Sequence, residues 1–297
     1  MNWERMISIM GMIETLEEAE NRLLRERSAE AGRMFDGAIR PIYELVVPGR
    51  NPEIKPAGTC ILLSIDGHHI MCTAAHVLDV RWKLQREVYV GGTSRLVPIL
   101  KGMIRSATPP PGSNRGPDHF DCGFWRIPQD AIAALGDVNF IDMARVSPNN
   151  APTDCRYYKA VGYRISRNKK LISNPKKSIT PARSGYCGSG SANPELAQAL
   201  GMSGADHLFV NFDPENITDE AGERANIYSP VGFSGGALVD LGDFTDPTAY
   251  STGSMWRPAL SGMLIEHRPR YNAMVAVRIE RIVEQIRSAL RLHPSGL

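Results

Sequence analysis

The chain has 297 residues, which suits one large domain or two of ordinary size with a substantial core. Its hydrophobic content of 42% and charged content of 22% are ordinary for a soluble globular protein. The net charge of +2 favours neither nucleic acid nor a membrane as a partner, and neither is expected. The 27 Gly and 21 Pro predict many turns, which favours a loop-rich β protein over a helical bundle.

Five cysteines without a CxxC pair argue against a zinc ribbon and a dense disulfide framework. Free, mostly buried thiols are therefore expected. No His/Cys/Asp cluster has ligand spacing, so neither a metal nor a cofactor is expected. The apolar run at residues 6–13 is followed at once by glutamates and by no convincing signal cleavage site. These features predict a cytoplasmic protein without a membrane-spanning helix.

Residues 3–31 carry apolar side chains at helical spacing and predict an amphipathic helix. Two interpretations stay open: the helix packs on the body of the protein, which is favoured, or it docks a regulatory partner. Residues 35–57 contain four prolines and are interpreted as a transition.

A β pattern follows. Residues 58–65 and 69–73 predict two strands joined by Asp66-Gly67, a strong hairpin signal. Further strands are predicted at 86–91 and 95–105, and an alternating strand begins at Asp121.

The connection at 128–153 contains a predicted short helix at 129–135. In the second half, the predicted strands are 157–163, 207–212, 259–267 and 274–277, and an amphipathic helix is predicted at 279–292. The Gly/Ser-rich tract 184–191 predicts a long mobile loop, and residues 213–227 are acidic and loop-like. The basic stretch 164–177 is explained by a solvated loop better than by nucleic-acid binding, although it holds Lys169, Lys170, Lys176 and Lys177.

Residues 232–236, Gly-Phe-Ser-Gly-Gly, place a serine in a glycine turn. Such a turn can expose the Ser234 hydroxyl and direct backbone N–H groups at one point, which is how an oxyanion hole is built. The alternative is a strand-entry turn with an incidental serine, and the turn alone does not decide between them.

Two upstream residues favour the nucleophile. His76 follows a small-residue hairpin, Asp121 heads an apolar strand, and the order His76, Asp121, Ser234 is that of chymotrypsin-type enzymes. Asp118 competes with Asp121 but lies in the preceding loop. Ser229 competes with Ser234 but has no flanking glycines.

These motifs resemble those of trypsin-like serine peptidases of the bacterial, HtrA-like branch. Residues 73–76 look like the family's Thr-Ala-Ala-His, and residues 232–238 resemble Gly-x-Ser-Gly-Gly-Pro-Leu. Residues 121–125 are similar to the strand that carries the family's aspartate. Gly58-Thr59 resembles the family's opening glycine motif, and residues 161–163 resemble the start of its second barrel. The resemblance spans roughly residues 57–292.

The resemblance implies a mainly β fold of two packed six-stranded barrels. The implied organisation is an N-terminal helical extension at 1–34, a first barrel at 35–150, and a second barrel with a C-terminal helix at 151–297.

The implied activity is that of a serine endopeptidase acting on protein or peptide substrates through an acyl-enzyme. His76 would be the base, Asp121 would orient it, and Ser234 would attack. The N–H groups of Gly232 and Ser234 would form the oxyanion hole. The alternative function is a trypsin-fold binding or regulatory module with little or no turnover, against which the complete triad argues.

Phe233 departs from the secreted trypsins, which have an aspartate there that captures a new N-terminus. Activation is therefore not expected to use that ion pair. The loops at 164–191 and 213–227 lie where the family keeps its activation and specificity loops. One hypothesis is that they hold the oxyanion hole misfolded until a partner orders them.

Four residues are candidates for the substrate pocket by their position relative to Ser234: Tyr228, Ile265, Glu266 and His267. Tyr228 lies six residues before Ser234, where an aspartate would favour Lys or Arg substrates, so that preference is not expected. His267 would favour an acidic substrate side chain.

Overall fold

Two antiparallel β-sheets, one from each half of the chain, make up most of the structure. The structure, a computed structural model, describes residues 14–47, 53–99, 103–105, 118–147, 155–168, 181–191, 194–212, 229–250 and 256–292. The predictions for residues 1–13, for the four lysines at 169–177 and for the loop 213–227 lie outside the described residues.

The first sheet has seven strands in the order β5-β4-β1-β2-β3-β7-β6. They are β1 (Ile39–Val46), β2 (Glu53–Ile65), β3 (His68–Ala74), β4 (Val88–Gly91), β5 (Leu96–Pro98), β6 (Met103–Arg105) and β7 (Cys122–Arg126). The predicted β2–β3 hairpin is confirmed: Asp66 and Gly67 form its turn with φ of 49° and 80°.

The second sheet has six strands in the order β10-β13-β12-β11-β8-β9. They are β8 (Arg156–Gly162), β9 (Ser184–Ser189), β10 (His207–Asn211), β11 (Ala237–Asp243), β12 (Ala259–Arg268) and β13 (Ala273–Arg278). Its two ends meet at a bridge between Gly190 and Val210. The N–H of Ser191 also donates to the carbonyl of Phe209 at 2.8 Å, so the sheet curls into a barrel.

The described residues form five α-helices: α1 (Leu16–Met34), α2 (Ala75–Leu84), α3 (Gln129–Leu135), α4 (Pro194–Leu200) and α5 (Ile279–Leu292). The predicted helices at 129–135 and 279–292 are confirmed. Helix α1 begins at Leu16, where Thr15 caps it: the Thr15 hydroxyl accepts the Glu18 N–H, and the Glu18 carboxylate accepts the Thr15 N–H. Residues 3–13 of the predicted helix lie outside the described residues.

The strands bury side chains on both faces, because each sheet has its own interior and also packs against other elements. Leu62 lies inside the first sheet, whereas its neighbours Ile61 and Leu63 belong to the core shared by both sheets. In the second sheet, Leu238 lies inside and Val239 faces the shared core. This alternation with period two fixes both strand registers.

Helix α1 packs on the second sheet, as the favoured interpretation expected. Arg27 is buried and donates to the carbonyl of Leu241 at 2.7 Å and that of Ala249 at 3.3 Å. The buried Lys159 on β8 donates to the carbonyl of Ser28 at 2.8 Å. Both cations satisfy backbone carbonyls, so the helix is attached by polar contacts as well as by apolar packing.

The transition predicted at 35–57 is wrong, because β1 and the start of β2 occupy it. Pro41 has no N–H for a neighbouring strand, and the pairing of β1 with β4 reaches only to Ile42 and Val90. The next carbonyl of β4, that of Gly91, accepts instead from Arg40 Nε at 2.6 Å. A side-chain donor thus allows a proline inside the sheet.

The mobile loop predicted at 184–191 is also wrong, because β9 runs through it. Tyr186 and Cys187 are buried there. A Cβ on Gly188 would overlap the carbonyl oxygen of Asn211, so glycine is required where β9 and β10 meet.

The predicted mainly β fold, with two packed sheets and a helix towards each end, is confirmed, with seven strands rather than six in the first sheet. No disulfide joins any of the five cysteines, and four of them are buried. Within the described ranges, no helix has the length and apolarity to cross a membrane.

Candidate active site

His76 and Asp121 meet at the end of the first sheet. His76 is the second residue of α2, directly after β3, and Asp121 directly precedes β7, which pairs with β3. The Asp121 carboxylate uses both oxygens: Oδ2 lies 2.5 Å from His76 Nδ1, and Oδ1 accepts the His76 backbone N–H at 2.9 Å. The ring is thereby held with Nδ1 on the carboxylate and Nε2 directed away from it.

The backbone at Asp121 has φ of +39°, a conformation that costs a non-glycine residue about 1–3 kcal/mol. Three partners hold it there. The Asp118 side chain accepts the Asp121 N–H at 3.1 Å, the Asp121 carbonyl accepts the Ala75 N–H at 2.7 Å, and the carboxylate binds His76. Asp118, the rival in the sequence, therefore supports Asp121 through its backbone and does not itself bond to His76.

Ser234 lies in a tight turn that leads into β11. Gly232 and Gly235 have φ of +103° and +82°, which is the left-handed region that glycine favours. The Gly235 N–H donates to the carbonyl of Leu264 at 2.7 Å, and the Gly236 N–H to that of Phe233 at 2.7 Å. A Cβ on Gly235 would overlap Thr59 O and Thr73 Oγ1, so the turn is packed against the first sheet.

The N–H groups of Gly232 and Ser234 donate no hydrogen bond to any described residue, whereas those of Phe233, Gly235 and Gly236 all do. Two neighbouring free donors beside a serine hydroxyl are what an oxyanion hole requires. Both sites predicted for the oxyanion hole thus have a free donor in the described part of the chain.

Thr59 joins the serine turn to the first sheet, a role that the sequence did not reveal. Its hydroxyl donates to the carbonyl of Gly232 at 2.7 Å and accepts the N–H of Tyr163 at 2.9 Å, and its backbone N–H donates to the carbonyl of Ser234 at 2.9 Å. Thr59 is fully buried. The Gly58-Thr59 motif was the only signal in the sequence that could have pointed to it.

Phe233 is buried at 1% exposure in an apolar cluster, with its ring 5.4 Å from that of Tyr186. A Cβ on Gly162 would lie 2.9 Å from the Phe233 ring, so the backbone at Gly162 is in close contact with that ring. Apolar packing therefore anchors this position of the turn, where an ion pair would be needed if the residue were aspartate.

A cavity of about 650 Å³ lies between the two sheets, and both His76 and Ser234 line it. The two side chains share the cavity wall, but no hydrogen bond joins Ser234 Oγ to His76 Nε2. Such bonds are often long in structures without substrate and tighten when it binds. The rival Ser229 also lines this cavity, and its hydroxyl accepts the Val231 N–H at 3.4 Å.

Three of the four candidate pocket residues, Ile265, Glu266 and His267, line the same cavity, and Tyr228 lies outside the described residues. Glu266 is paired with Arg268 at 2.6 Å. The ring centroids of His267 and Phe212 are 4.7 Å apart. Burial lowers the pKa of His267, which favours the neutral imidazole.

One edge of β12 is open beside this cavity. Pairing of β12 with β11 ends at Met263 and Ala237, whereas pairing with β13 continues to Arg268. From Ile265 onward, the edge of β12 on the side of β11 has no strand partner in the described part of the chain. An unpaired edge can accept an extended peptide as an additional strand.

No three His, Cys, Asp or Glu side chains of the described residues are grouped so that they could hold a metal ion. The site thus consists of an imidazole fixed by a carboxylate, a serine in a glycine turn, two free N–H donors and an open strand edge.

The sequence matches no protein-family model and no curated protein sequence. Similar solved structures include an HtrA-type protease, AlgW, with a tripeptide, at 14% identity and a TM-score of 0.47; the match covers 88% of this chain and 62% of that one. Another is a serine endoprotease from Yersinia pestis, at 14% identity and a TM-score of 0.48, covering 89% of this chain and 66% of that one. The chain thus spans just under two thirds of their length. At this identity and TM-score the likeness assigns neither an activity to this chain nor a role to any of its residues.

Proposed function

We propose that the chain is a serine endopeptidase that uses Ser234, His76 and Asp121. One observation carries the proposal: the Asp121 carboxylate holds the ring and the backbone of His76 at the wall of the cavity that Ser234 also lines. A carboxylate that binds Nδ1 sets the tautomer in which Nε2 can accept a proton. A purely structural role for His76 would not require a carboxylate on Nδ1 or a position in the same cavity as a serine in a glycine turn.

The reaction follows from these positions. Ser234 Oγ attacks the carbonyl carbon of the peptide bond while His76 Nε2 takes its proton, and Asp121 stabilises the imidazolium that forms. The N–H groups of Gly232 and Ser234 bind the oxygen that becomes negative. When the C–N bond breaks, His76 gives the proton to the leaving amine and an acyl-serine is left. Water then attacks the ester, with His76 again as the base.

The open edge of β12 supports a peptide as the substrate. It begins at Ile265, directly after Leu264, whose carbonyl accepts the Gly235 N–H of the serine turn. A peptide paired with this edge would have its backbone aligned beside Ser234. Binding through the backbone, with side chains entering the cavity, suits cleavage within a chain.

Labelling with a fluorophosphonate probe tests the proposal, since Ser234 Oγ would displace fluoride from phosphorus and remain covalently modified. The parent and Ser229→Ala are expected to be labelled, and Ser234→Ala is not. Ser229 is the matched control because it lines the same cavity. His76→Ala should also abolish labelling, because the hydroxyl then has no base.

Loss of labelling in Ser229→Ala with retention in Ser234→Ala would reassign the nucleophile. A parent that is folded and never labelled would support the alternative of a binding module with little or no turnover. Control by a partner that docks on α1 or on the long loops stays a prediction. A purified chain that cleaves peptides at full rate without any partner would contradict it.

A further inference from the structure

Two peptide planes set the directions of the free N–H groups of Gly232 and Ser234. In a trans peptide the carbonyl and the N–H point in opposite directions, so a bond to the carbonyl also fixes the N–H. The carbonyl of Phe233, which shares a peptide with the Ser234 N–H, accepts the Gly236 N–H at 2.7 Å within the turn itself. The carbonyl of Val231, which shares a peptide with the Gly232 N–H, has its partner elsewhere in the chain.

The partner of the Val231 carbonyl is the backbone N–H of Ile165, at 3.0 Å. Ile165 begins a short 3₁₀ turn, Ile165–Arg167, that follows β8. The serine turn lies directly against this segment, because a Cβ on Gly232 would overlap the carbonyl oxygen of Tyr163 and lie 2.9 Å from the Ile165 nitrogen. One donor of the proposed oxyanion hole therefore depends on a segment outside the serine turn.

Asn168 fixes the peptide that carries the Ile165 N–H. Its side chain is buried, and its Nδ2 donates to the carbonyl of Arg164 at 2.7 Å. The Arg164 carbonyl and the Ile165 N–H belong to one peptide, which is thus held on both sides. The Asn168 backbone N–H also donates to the carbonyl of Ile165 at 3.1 Å and closes the 3₁₀ turn.

The same side chain attaches this segment to the second sheet. Nδ2 of Asn168 donates to the carbonyl of Ala182 at 3.2 Å, and its Oδ1 accepts the Ala182 N–H at 2.9 Å. Ala182 lies shortly before β9, whose first residue, Ser184, pairs with Gly162 of β8. A side-chain amide supplies the two donors and the acceptor that these groups need, whereas a carboxylate has no donor.

We propose that Asn168 is a positioning residue for the oxyanion hole. It holds the Ile165 N–H on the Val231 carbonyl, and the Gly232 N–H is thereby directed into the cavity that Gly232 lines. Without this hold the Val231–Gly232 peptide is free to rotate, because glycine adopts negative and positive φ about equally well. The effect of Asn168 on turnover rests on the proposed function, but its effect on the direction of the Val231 carbonyl does not.

Peptide-cleavage kinetics of Asn168→Ala and Asn211→Ala test the effect on catalysis. The Asn211 side chain is the matched control, because it also joins two segments of the second sheet, through the Ser189 hydroxyl at 2.9 Å and the Gly190 carbonyl at 3.4 Å. Asn168→Ala should lower kcat about 10- to 10²-fold with little change in KM, somewhat less than outright removal of an oxyanion donor costs. Asn211→Ala should match the parent. A raised KM at unchanged kcat, or equal kcat values for the two variants, would overturn the proposal.

A second variant breaks the link without touching the side chain of Asn168. Ile165→Pro deletes the N–H that binds the Val231 carbonyl. Proline suits the site, because Arg164 has φ of −66° and ψ of 131° and Ile165 is the first residue of its turn. Its kcat should fall as far as that of Asn168→Ala, and the double variant should fall no further, since both changes break one link.

Ile165→Ala is the control for the lost side chain, because Ile165 lines the cavity and this variant keeps the N–H. If Ile165→Pro cleaves as fast as Ile165→Ala, or if the losses add in the double variant, the link does not position the donor.

Amide hydrogen exchange in Ser234→Ala protein tests the same link without any activity. The Ile165 amide should be protected, and Asn168→Ala should speed its exchange at least about ten-fold. The amides of Gly235 and Gly236, whose bonds do not involve the segment at 164–168, should keep their protection. Equal losses at all three amides would indicate general loosening and refute the proposal. An Ile165 amide that exchanges freely without Asn168→Ala refutes it even if no variant folds. Failed probe labelling of the parent with a selective loss at Ile165 would refute the peptidase and keep the positioning role.

Discussion

Replacing Thr59 by valine is expected to damage both the stability of the protein and its serine turn. Valine has almost the same shape as threonine but no hydroxyl. The hydroxyl of Thr59 satisfies two buried backbone groups, the carbonyl of Gly232 at 2.7 Å and the N–H of Tyr163 at 2.9 Å. Both lose their partner in Thr59→Val.

The size of the effect follows from the cost of stranded polar groups. Each buried group left without a partner costs about 1–3 kcal/mol, so the two together cost about 2–6 kcal/mol. This is a large fraction of the roughly 5–15 kcal/mol that stabilises a typical domain. Gly232 also carries a donor of the proposed oxyanion hole, and loss of one such donor costs about 10²–10³ in kcat. A displaced Gly232 should therefore lower kcat by up to about 10²-fold.

Urea unfolding and peptide-cleavage kinetics of Thr59→Val and Thr59→Ser measure the two effects. Serine keeps the hydroxyl and loses only a methyl group, so its unfolding free energy should fall by only about 1 kcal/mol and kcat should be nearly retained. If Thr59→Val unfolds at the urea concentration of the parent, or if Thr59→Ser is as damaged as Thr59→Val, the hydroxyl bridge does not hold the turn.

Two further predictions concern the terminal helices. Arg27→Met leaves the carbonyls of Leu241 and Ala249 without this donor, and each should lower the unfolding free energy by about 1–3 kcal/mol. An unchanged urea midpoint would show that Arg27 does not attach α1 to the second sheet. Hydrogen bonding to Arg287 of α5 lowers the pKa of Asp66 in the folded protein. The pair therefore stabilises the fold at any pH above the pKa that Asp66 has in the unfolded chain. This stabilisation is lost as the pH falls through the lower pKa of the folded protein. The difference in urea midpoint between the parent and Asp66→Asn should be small at neutral pH, because the pair is exposed, and should vanish in acid; a difference that grows in acid contradicts it.

Much of the candidate site was readable from the sequence because its chemistry is concentrated in short segments. Ser234 lies in its glycine turn, and Asp121 directly precedes a strand. His76 directly follows one. The sequence left two neighbouring aspartates as candidates for the partner of His76. In the structure Asp121 bonds to His76, and Asp118 bonds to the backbone of Asp121.

The groups that support the site could not be predicted, since each acts over a long separation in the chain. Thr59 is 173 residues from Gly232 and 104 residues from Tyr163. A threonine in a strand has many ordinary explanations. Only the packing of the two sheets brings its hydroxyl to the turn that it holds.

Local signals in the sequence were enough to predict the Asp66-Gly67 hairpin, the helices at 129–135 and 279–292, and the strands that precede His76 and follow Asp121. Long-range contacts, in contrast, make strands of β1, which contains Pro41, and of the glycine-rich β9. Proline lacks a donor and glycine lacks a side chain, so both residues argue against a strand locally. Arg40 supplies the carbonyl of Gly91 beside Pro41, and the close approach of β10 requires Gly188, so distant partners reverse the local preference. The same contact between sheets places His76 and Ser234 in one cavity.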